Sequence, residues 1–317
     1  FGENGEVKGV VAGEFGRNSD GSLSDVYEPG MELHGKYVFL SEGVRGSLSK
    51  QVLSKYDLGK SCDVPKFGIG MKEIWEIAPE KHNEGEVTHT MGWPLGFKNS
   101  GGSFIYHLDA NQVYIGYIVD LNYKNPYLFP YMEFQNFKHH PKIAELLKGG
   151  KRVAYGARAG TKGGFQSIPK AAFPGGVLLG CSLGLVNLPR IKGNHNAMHS
   201  GIEAAETAYK AIKEGRSSDV LHEYDVALRE GPIGKDLKKV RNVAPFAGRY
   251  GPLGGLAFGG FDMWFQTIFG FSPFGTLQHG KSDAEATEVA SKHSPKNYHK
   301  PDGTLSFDRL TNVSFSM

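Results

Sequence analysis

The sequence predicts a mixed α/β chain in which an α/β unit is interrupted by a mainly β domain. Length is the first observation behind this. At 317 residues and 34.6 kDa the chain exceeds what one hydrophobic core usually organises, so two interleaved domains or one large unit with insertions are expected. The second is a pair of strand, tight turn, helix signals, near residues 37–56 and 177–212, separated by strand-type alternation. The third is glycine: the 44 glycines are about twice the ordinary ~7% share. They are scattered at turns, which implies many tight bends or close approaches to a ligand.

Composition narrows the partners. Hydrophobic residues at 39% and charged residues at 22% exclude wholesale disorder, collagen-like repeats and a polytopic membrane protein. A net charge of +3 from 36 basic and 33 acidic residues, with no basic block, gives no support for a nucleic-acid partner. Cys62 and Cys181 stand in unrelated contexts, so neither a disulfide framework nor a Cys-x-x-Cys metal site is expected. The chain opens at Phe1 with no basic-then-apolar leader, and it reads as a piece of something longer.

The elements follow in order. Apolar runs at 7–11 and 37–40 around a turn at Asp20 and Gly21 predict a small β-meander. Leu48, Val52 and Tyr56 then recur at helical spacing up to Gly59. Ile69, Met71, Trp75 and Ile77 share one strand parity, and the runs 104–108 and 113–119, joined by Asp109-Ala110-Asn111-Gln112, predict a hairpin. After Pro174-Gly175-Gly176 comes the apolar run 177–179. A helix follows, with Met198, Ile202, Ala205, Tyr209 and Ile212 on one face, ended by Gly215 in the left-handed position. Ser218 or Asp219 is expected to cap a further helix from Val220 to Glu230, ahead of a Gly- and Phe-rich stretch and a polar tail.

Chemistry concentrates in the segment Gly180, Cys181, Ser182 to Gly193, Asn194, His195, Asn196, Ala197 and Met198. A strand delivers the chain to a small-residue turn, and a helix begins with its amides and positive dipole end free for an electron-rich ligand edge. In a flavin enzyme that edge is the N1/C2 carbonyl side of the ring, which gains negative charge on reduction. An ordinary loop with an Asn cap is the competing reading.

The stretch 180–205 resembles the C-terminal flavin-binding signature of the electron-transfer-flavoprotein:ubiquinone oxidoreductase family. Gly92-Trp93-Pro94-Leu95, Gly101-Gly102-Ser103-Phe104, Lys138-His139-His140-Pro141, 150–158, 164–169 and Lys300-Pro301-Asp302-Gly303 resemble the same family, nearly the whole chain in all. The resemblance implies an FAD/NAD(P)-binding fold, its C-terminal half, with an inserted mainly β quinone-binding domain. It assigns 1–60 and 171–216 to the FAD domain, 61–170 to the ubiquinone domain, and 217–317 to a helical segment leading to an absent 4Fe-4S domain. Glu42, Gly43 and Gly46 would lie near the FAD, and Gly101 and Gly102, with Gly164, Phe165 and Gln166 as weaker candidates, near the quinone. The implied activity passes electrons from reduced electron-transferring flavoprotein through a 4Fe-4S cluster and FAD to ubiquinone, with no residue needed as nucleophile or base. The implied location is the mitochondrial inner membrane, matrix side, or a bacterial cytoplasmic membrane. Departures accompany the matches: no Gly-x-Gly-x-x-Gly turn precedes Glu42, and the four cysteines of the cluster are missing.

Adjacent side chains diverge, so His139-His140 is expected to be a loop or helix cap rather than a metal site, and no hydrolase or kinase spacing is present. In 253–277 Asp262 is the single charge, and Phe258, Phe261, Phe265 and Phe269, with Trp264, share the stretch with interrupting glycines. This predicts a monotopic element at a membrane surface rather than a span; an aromatic core element is the alternative. A related reductase or monooxygenase of the geranylgeranyl-reductase kind, and a non-enzymatic membrane-binding fragment, are the other readings of the whole chain.

Overall fold

A computed structural model describes residues 1–316. They fall into two compact units, one of residues 1–62 and 167–238, the other of 63–166 and 239 onward. The expected helical segment 217–317 is thus divided between the two.

In the first unit, β1 (Gly9–Ala12), β2 (Phe15–Arg17), β3 (Leu23–Glu28) and β4 (Met31–His34) form two antiparallel ladders, β1 with β4 and β2 with β3. The run at 37–40 does not close this meander. As β5 (Val38–Leu40) it pairs in parallel with β12 (Gly176–Leu178), which turns back on β11 (Ala172–Phe173). Alternation identifies a strand but not its partner.

Helix α1 (Ser47–Lys55) follows β5, and α4 (Asn194–Lys213) follows β12. The face of α4 that carries Met198, Ile202, Tyr209 and Ile212 is the exposed one, with Met198 at 71%. The buried face is Asn196, Ser200, Ala204, Ala208 and Ala211. The cause is steric: a Cβ placed on Gly180 would stand 3.1 Å from Ala197 Cβ, so small side chains let the helix approach the strand end.

Helix α4 ends as expected at Gly215 (φ 80°), with Arg216 N–H donating to the Ala211 carbonyl at 2.9 Å. Neither Ser218 nor Asp219 caps α5 (His222–Glu230), whose N-cap is Leu221. Asp219 instead accepts from the Tyr37 hydroxyl and from Arg216. Asp225 of α5 accepts the amides of Ala171 (2.8 Å) and Ala172 (3.1 Å), and Tyr224 donates to the Leu178 carbonyl at 3.1 Å, which fixes both strands of the β11–β12 turn. Helix α6 (Pro232–Lys239) completes this part of the chain.

The second unit is built on a five-stranded antiparallel sheet. Its strands are β6 (Phe67–Glu76), β7 (Val87–Thr90), β8 (Gly101–His107), β9 (Gln112–Asp120) and β10 (Lys151–Thr161), in the order β10-β6-β9-β8-β7. The β8–β9 hairpin is the one read from the sequence, and Ala110 (φ 52°) and Asn111 (φ 56°) supply the two left-handed residues of its turn. Helices α2 (Pro130–Phe137) and α3 (Pro141–Leu147) cover one face and bury Met71, Trp75, Ile115, Tyr117 and Phe134. His140 is the N-cap of α3 and His139 Nε2 bonds Ser306 Oγ at 2.9 Å, in keeping with the cap expected there.

Glu73 shares the buried parity of Met71 and Trp75 and is 0% exposed. It is held by Lys138 Nζ at 2.8 and 3.0 Å, Trp75 Nε1 at 2.8 Å and Asn312 Nδ2 at 3.0 Å. Burial lowers the Lys138 pKa to about 8 against the pull of Glu73. Further along the chain, α7 (Val243–Phe269) is two helical arms joined at Gly251 (φ 72°) and Pro252. The arms pack on each other, since a Cβ on Gly255 would lie 2.6 Å from Ala247 Cβ. Short helices α8 (Asp283–Ala286) and α9 (Arg309–Val313) lie in the polar tail.

Removing one partner of the buried pair leaves an uncompensated charge, so Glu73→Ala is expected to lower stability in denaturant unfolding by about 3–5 kcal/mol. The double variant Glu73→Met/Lys138→Met should recover most of that loss. A Glu73→Ala loss below about 1 kcal/mol would show that the pair contributes little.

Candidate functional site

In the first unit the chain leaves the adjacent parallel strands β5 and β12 at the same end, with Leu179 N–H donating to the Leu40 carbonyl at 3.0 Å. Two of the sequence-predicted stretches meet there. Ser182 Oγ donates to the Gly43 carbonyl at 3.0 Å, and Ser49 Oγ lies 3.4 Å from Ser182 Oγ.

The Glu42 carboxylate caps the start of α1, accepting from Ser49 N at 2.6 Å, Ser49 Oγ at 2.8 Å and Leu48 N at 3.2 Å. Burial works to raise its pKa, but the donors of Ser49 and Leu48 prevail and hold it below 4.5. Gly46 must lack a side chain because a Cβ there would stand 2.2 Å from Glu42 Cβ. Gly43 has φ 79° and nothing within 4 Å of where its Cβ would be, so its backbone is open to an approaching group. Burial raises the Cys181 thiol pKa, which keeps it protonated near neutrality.

The N-terminus of α4 completes this end. Its N-cap, Gly193, brings no side chain, and the first turn contains no acidic residue, so the leading amides keep their donor capacity and the dipole is uncompensated. Gly180 N–H donates to Ser200 Oγ at 3.0 Å, which fixes strand to helix. Asn196 is buried and its Nδ2 donates to the Leu185 carbonyl at 2.9 Å, so it shapes the preceding loop. Asn194 is exposed, and His195 Nε2 lies 3.6 Å from Asp236.

Asn187 escaped the sequence reading. It is fully buried, donates to Asp236 at 2.8 Å, accepts from Arg190 N at 3.2 Å and bridges to Lys192, so it folds the loop that delivers α4. The Asn-Leu-Pro-Arg turn was the available signal. Parallel strand ends, an uncapped helix start and an open left-handed glycine fit the requirements of an FAD. Gly43, Gly180 to Ser182 and the first turn of α4 are the residues that would hold it.

In the second unit, Gly101 and Gly102 open β8 opposite Val119 and Ile118. Both are packed by their own sheet: a Cβ on Gly101 would come within 2.3 Å of the Ile118 carbonyl oxygen, and one on Gly102 within 2.5 Å of that of Thr90. Gly164 (φ 76°) precedes a 3-10 turn at Phe165–Ser167. Gln166 Nε2 donates to the carbonyls of Arg241 and Leu277, both at 3.0 Å, while its buried Oε1 has no partner.

Of the glycines expected to interrupt 253–277, some break the helix and some do not. Gly259 and Gly260 lie within α7, and Gly270 (φ 78°) ends it. Asp262 is buried and accepts from Asn242 Nδ2 at 3.0 Å and Gln266 Nε2 at 2.9 Å, as well as from the Ser272 hydroxyl. Leu256, Phe258, Phe261, Trp264, Ile268 and Phe269 are exposed, and Phe265 is half-buried among neighbouring rings. Among the described residues no helix is long and apolar enough to cross a membrane, and no group of three or more His, Cys, Asp or Glu is arranged to hold a metal ion.

Residues 67–159 match the family model described as ETF-QO, ubiquinone-binding. Over 316 residues, 99% of its length, the chain is 47% identical to the electron transfer flavoprotein-ubiquinone oxidoreductase of Pseudomonas aeruginosa, of which it covers 57%. It is 46% identical over 322 residues to the mitochondrial protein of that name from Rattus norvegicus, a match covering 99% of this chain and 52% of the relative. Among solved structures, a geranylgeranyl bacteriochlorophyll reductase-like protein from Thermoplasma acidophilum aligns with a TM-score of 0.51 at 16% identity, covering 73% of this chain and 52% of that one. At that identity the likeness is one of fold alone.

The class so defined is the FAD/NAD(P)-binding α/β fold with an inserted β-rich domain. Within it, the chain is similar over nearly its whole length to electron transfer flavoprotein-ubiquinone oxidoreductases, and it spans about half the length of the curated relatives it matches.

Loss of the Glu42 cap should destabilise the first unit. Glu42→Ala is expected to cost about 1 kcal/mol in chemical denaturation at pH 7. The carboxylate is depressed in the folded state, so the wild-type advantage is present above about pH 4.5 and disappears as pH falls through the folded pKa. Equal stability of the two proteins at pH 7 would contradict the capping role.

Proposed function

We propose that this chain is the flavin- and quinone-binding part of an oxidoreductase that takes electrons from reduced electron-transferring flavoprotein and passes them to ubiquinone at a membrane surface. The observation that carries the reading is the ubiquinone-binding family match over 67–159, which spans β6 to β9 and nearly all of β10 and includes Gly101 and Gly102. Bound FAD supplies one- and two-electron chemistry. The chain's part is to bind and tune: the amides opening α4 favour negative charge at the flavin edge, and Gly43 gives its backbone room. Glu42 and Gly46 act on that site through the geometry of α1. Gly101 and Gly102, whose Cβ positions are taken up by carbonyls of their own sheet, would meet a quinone ring through their backbone edge.

A 4Fe-4S cluster in the same electron path requires thiolates beyond the two cysteines present here. The exposed aromatic and aliphatic side chains of α7 support attachment to a bilayer from one side, where the isoprenoid tail of ubiquinone resides. The membrane proposed is the mitochondrial inner membrane, matrix side, or its bacterial counterpart.

Two measurements test this reading. The FAD-loaded protein, reduced by electron-transferring flavoprotein, is expected to oxidise with short-chain ubiquinone under anaerobic conditions; a flavin that stays reduced would sink the proposal. Co-sedimentation with phosphatidylcholine vesicles is expected to fall roughly tenfold in Phe261→Ser/Trp264→Ser. Unchanged sedimentation would place the contact elsewhere than α7.

A further inference from the structure

We propose that Lys162, held against Asp120, delivers a proton to the quinone as it is reduced. The inference rests on reading Gly101-Gly102 and Gly164 to Gln166 as the quinone site, and it starts from where those stretches converge. Asp120 ends β9; its amide donates to the Ser100 carbonyl at 3.1 Å, and the preceding Val119 lies opposite Gly101. Lys162 directly follows β10 and leads into Gly164, Phe165 and Gln166. The Lys162 ammonium and the Asp120 carboxylate are in contact, with side chains 15% and 8% exposed. One ion pair therefore joins the two candidate quinone stretches at the same end of the sheet.

Such a pair is weak evidence for stability, because desolvation offsets its attraction. Proton supply gives it a reason. Ubiquinone becomes ubiquinol by taking two electrons and two protons: the electrons come from the reduced flavin of the proposed reaction, and each carbonyl oxygen gains one proton. Lys162 Nζ gives up a proton to the quinone oxygen nearest it, its N–H bond breaking as the O–H bond forms, and the amine left behind takes a new proton from solvent; the oxygen at the opposite end of the ring takes its proton from solvent. Asp120 holds the ammonium in place between turnovers.

The surroundings suit a group that must change charge. Burial draws the lysine below its ordinary range, while Asp283 on α8 pulls the other way and the neighbouring cation Lys66 adds to the lowering. Lys66 is tied to Asp283 at 3.2 Å and donates to the Lys281 carbonyl at 2.5 Å. His279 Nε2 bonds the Gly163 carbonyl at 2.7 Å, and its amide donates to Asp63 at 2.6 Å. Burial lowers the His279 pKa, so that ring is neutral at pH 7. The unpartnered Gln166 Oε1, 3.5 Å from where a Gly164 Cβ would stand, is an acceptor of the kind a quinol hydroxyl requires.

The test uses FAD-loaded holoprotein, wild type, Lys162→Arg and Lys162→Met, reduced and mixed with short-chain ubiquinone or with ferricenium, an acceptor that takes electrons without protons. Arginine can keep the contact with Asp120 but does not release its proton. The ratio of ubiquinone rate to ferricenium rate is expected to fall at least tenfold in both variants. The solvent deuterium effect and the pH dependence of ubiquinone reduction seen in the wild type should be lost in Lys162→Arg. In the wild type, ubiquinone should also shift the lysine Nζ resonance that Lys162→Arg removes. A Lys162→Arg protein with wild-type ratio, pH profile and isotope effect overturns the proposal while leaving the quinone reading intact. A wild type that reduces ferricenium but not ubiquinone overturns that reading and the proposal with it.

Discussion

The first unit depends on one pairing, the parallel contact of β5 with β12. Strands far apart in the sequence meet in register, Gly176 with Val38 and Leu178 with Leu40, and so bring the turn after each to a common edge. Without that contact Glu42 and Gly43 would have no relation to Gly180 and Ser182, and the N-terminus of α4 would point at nothing in particular. Parallel pairing with helices following each strand is the arrangement in which ligands bind beyond the carboxyl ends of strands. The small residues on the buried face of α4 follow from it, because the helix must come close enough to Gly180 for its leading amides to reach that edge.

The second unit is organised by buried charge. Glu73 gathers Lys138, Trp75 and Asn312, and Glu133 takes Lys296 and the Tyr298 hydroxyl at 2.5 Å. The sequence's polar tail is thereby fastened to α2 and the sheet, with Tyr131 donating to the Phe307 carbonyl at 2.6 Å and Phe307 N–H donating to Gln135 at 2.9 Å. Each of these groups would be costly to bury alone. Together they tie the tail to the sheet, whose far end carries Gly101, Gly102, Asp120 and, just beyond β10, Lys162.

Much of this was legible in the residues, for reasons that can be named. The β8–β9 hairpin was readable because alternation and its Ala110-Asn111 turn are local properties. Gly215 was readable because a helix end needs a left-handed residue. The parallel partner of β5 was not, since alternation is silent about pairing, and the partner strand lies far along the chain. Which face of α4 turns inward was not legible, because burial there follows small size, not hydrophobicity, and Met198 and Ile202 face outward. Buried Glu73 was invisible as well: a carboxylate on an apolar parity reads as an exception until Lys138 and Asn312, distant in sequence, are seen against it. Among the site residues, Glu42 and Gly46 were picked out by their motif, but their part in capping α1 and clearing space for the cap emerged from geometry, as did the role of Asn187.

The central claim is that the edge made by β5, β12 and the start of α4 holds a flavin. A crystal structure of the FAD-loaded protein tests it most directly. The account predicts the flavin ring with its N1/C2 carbonyl edge accepting hydrogen bonds from the first-turn amides of α4, and the rest of the cofactor passing the open backbone at Gly43. A flavin bound with that edge away from α4, or bound without contact to Gly43 and the turn from Gly180 to Ser182, would contradict it.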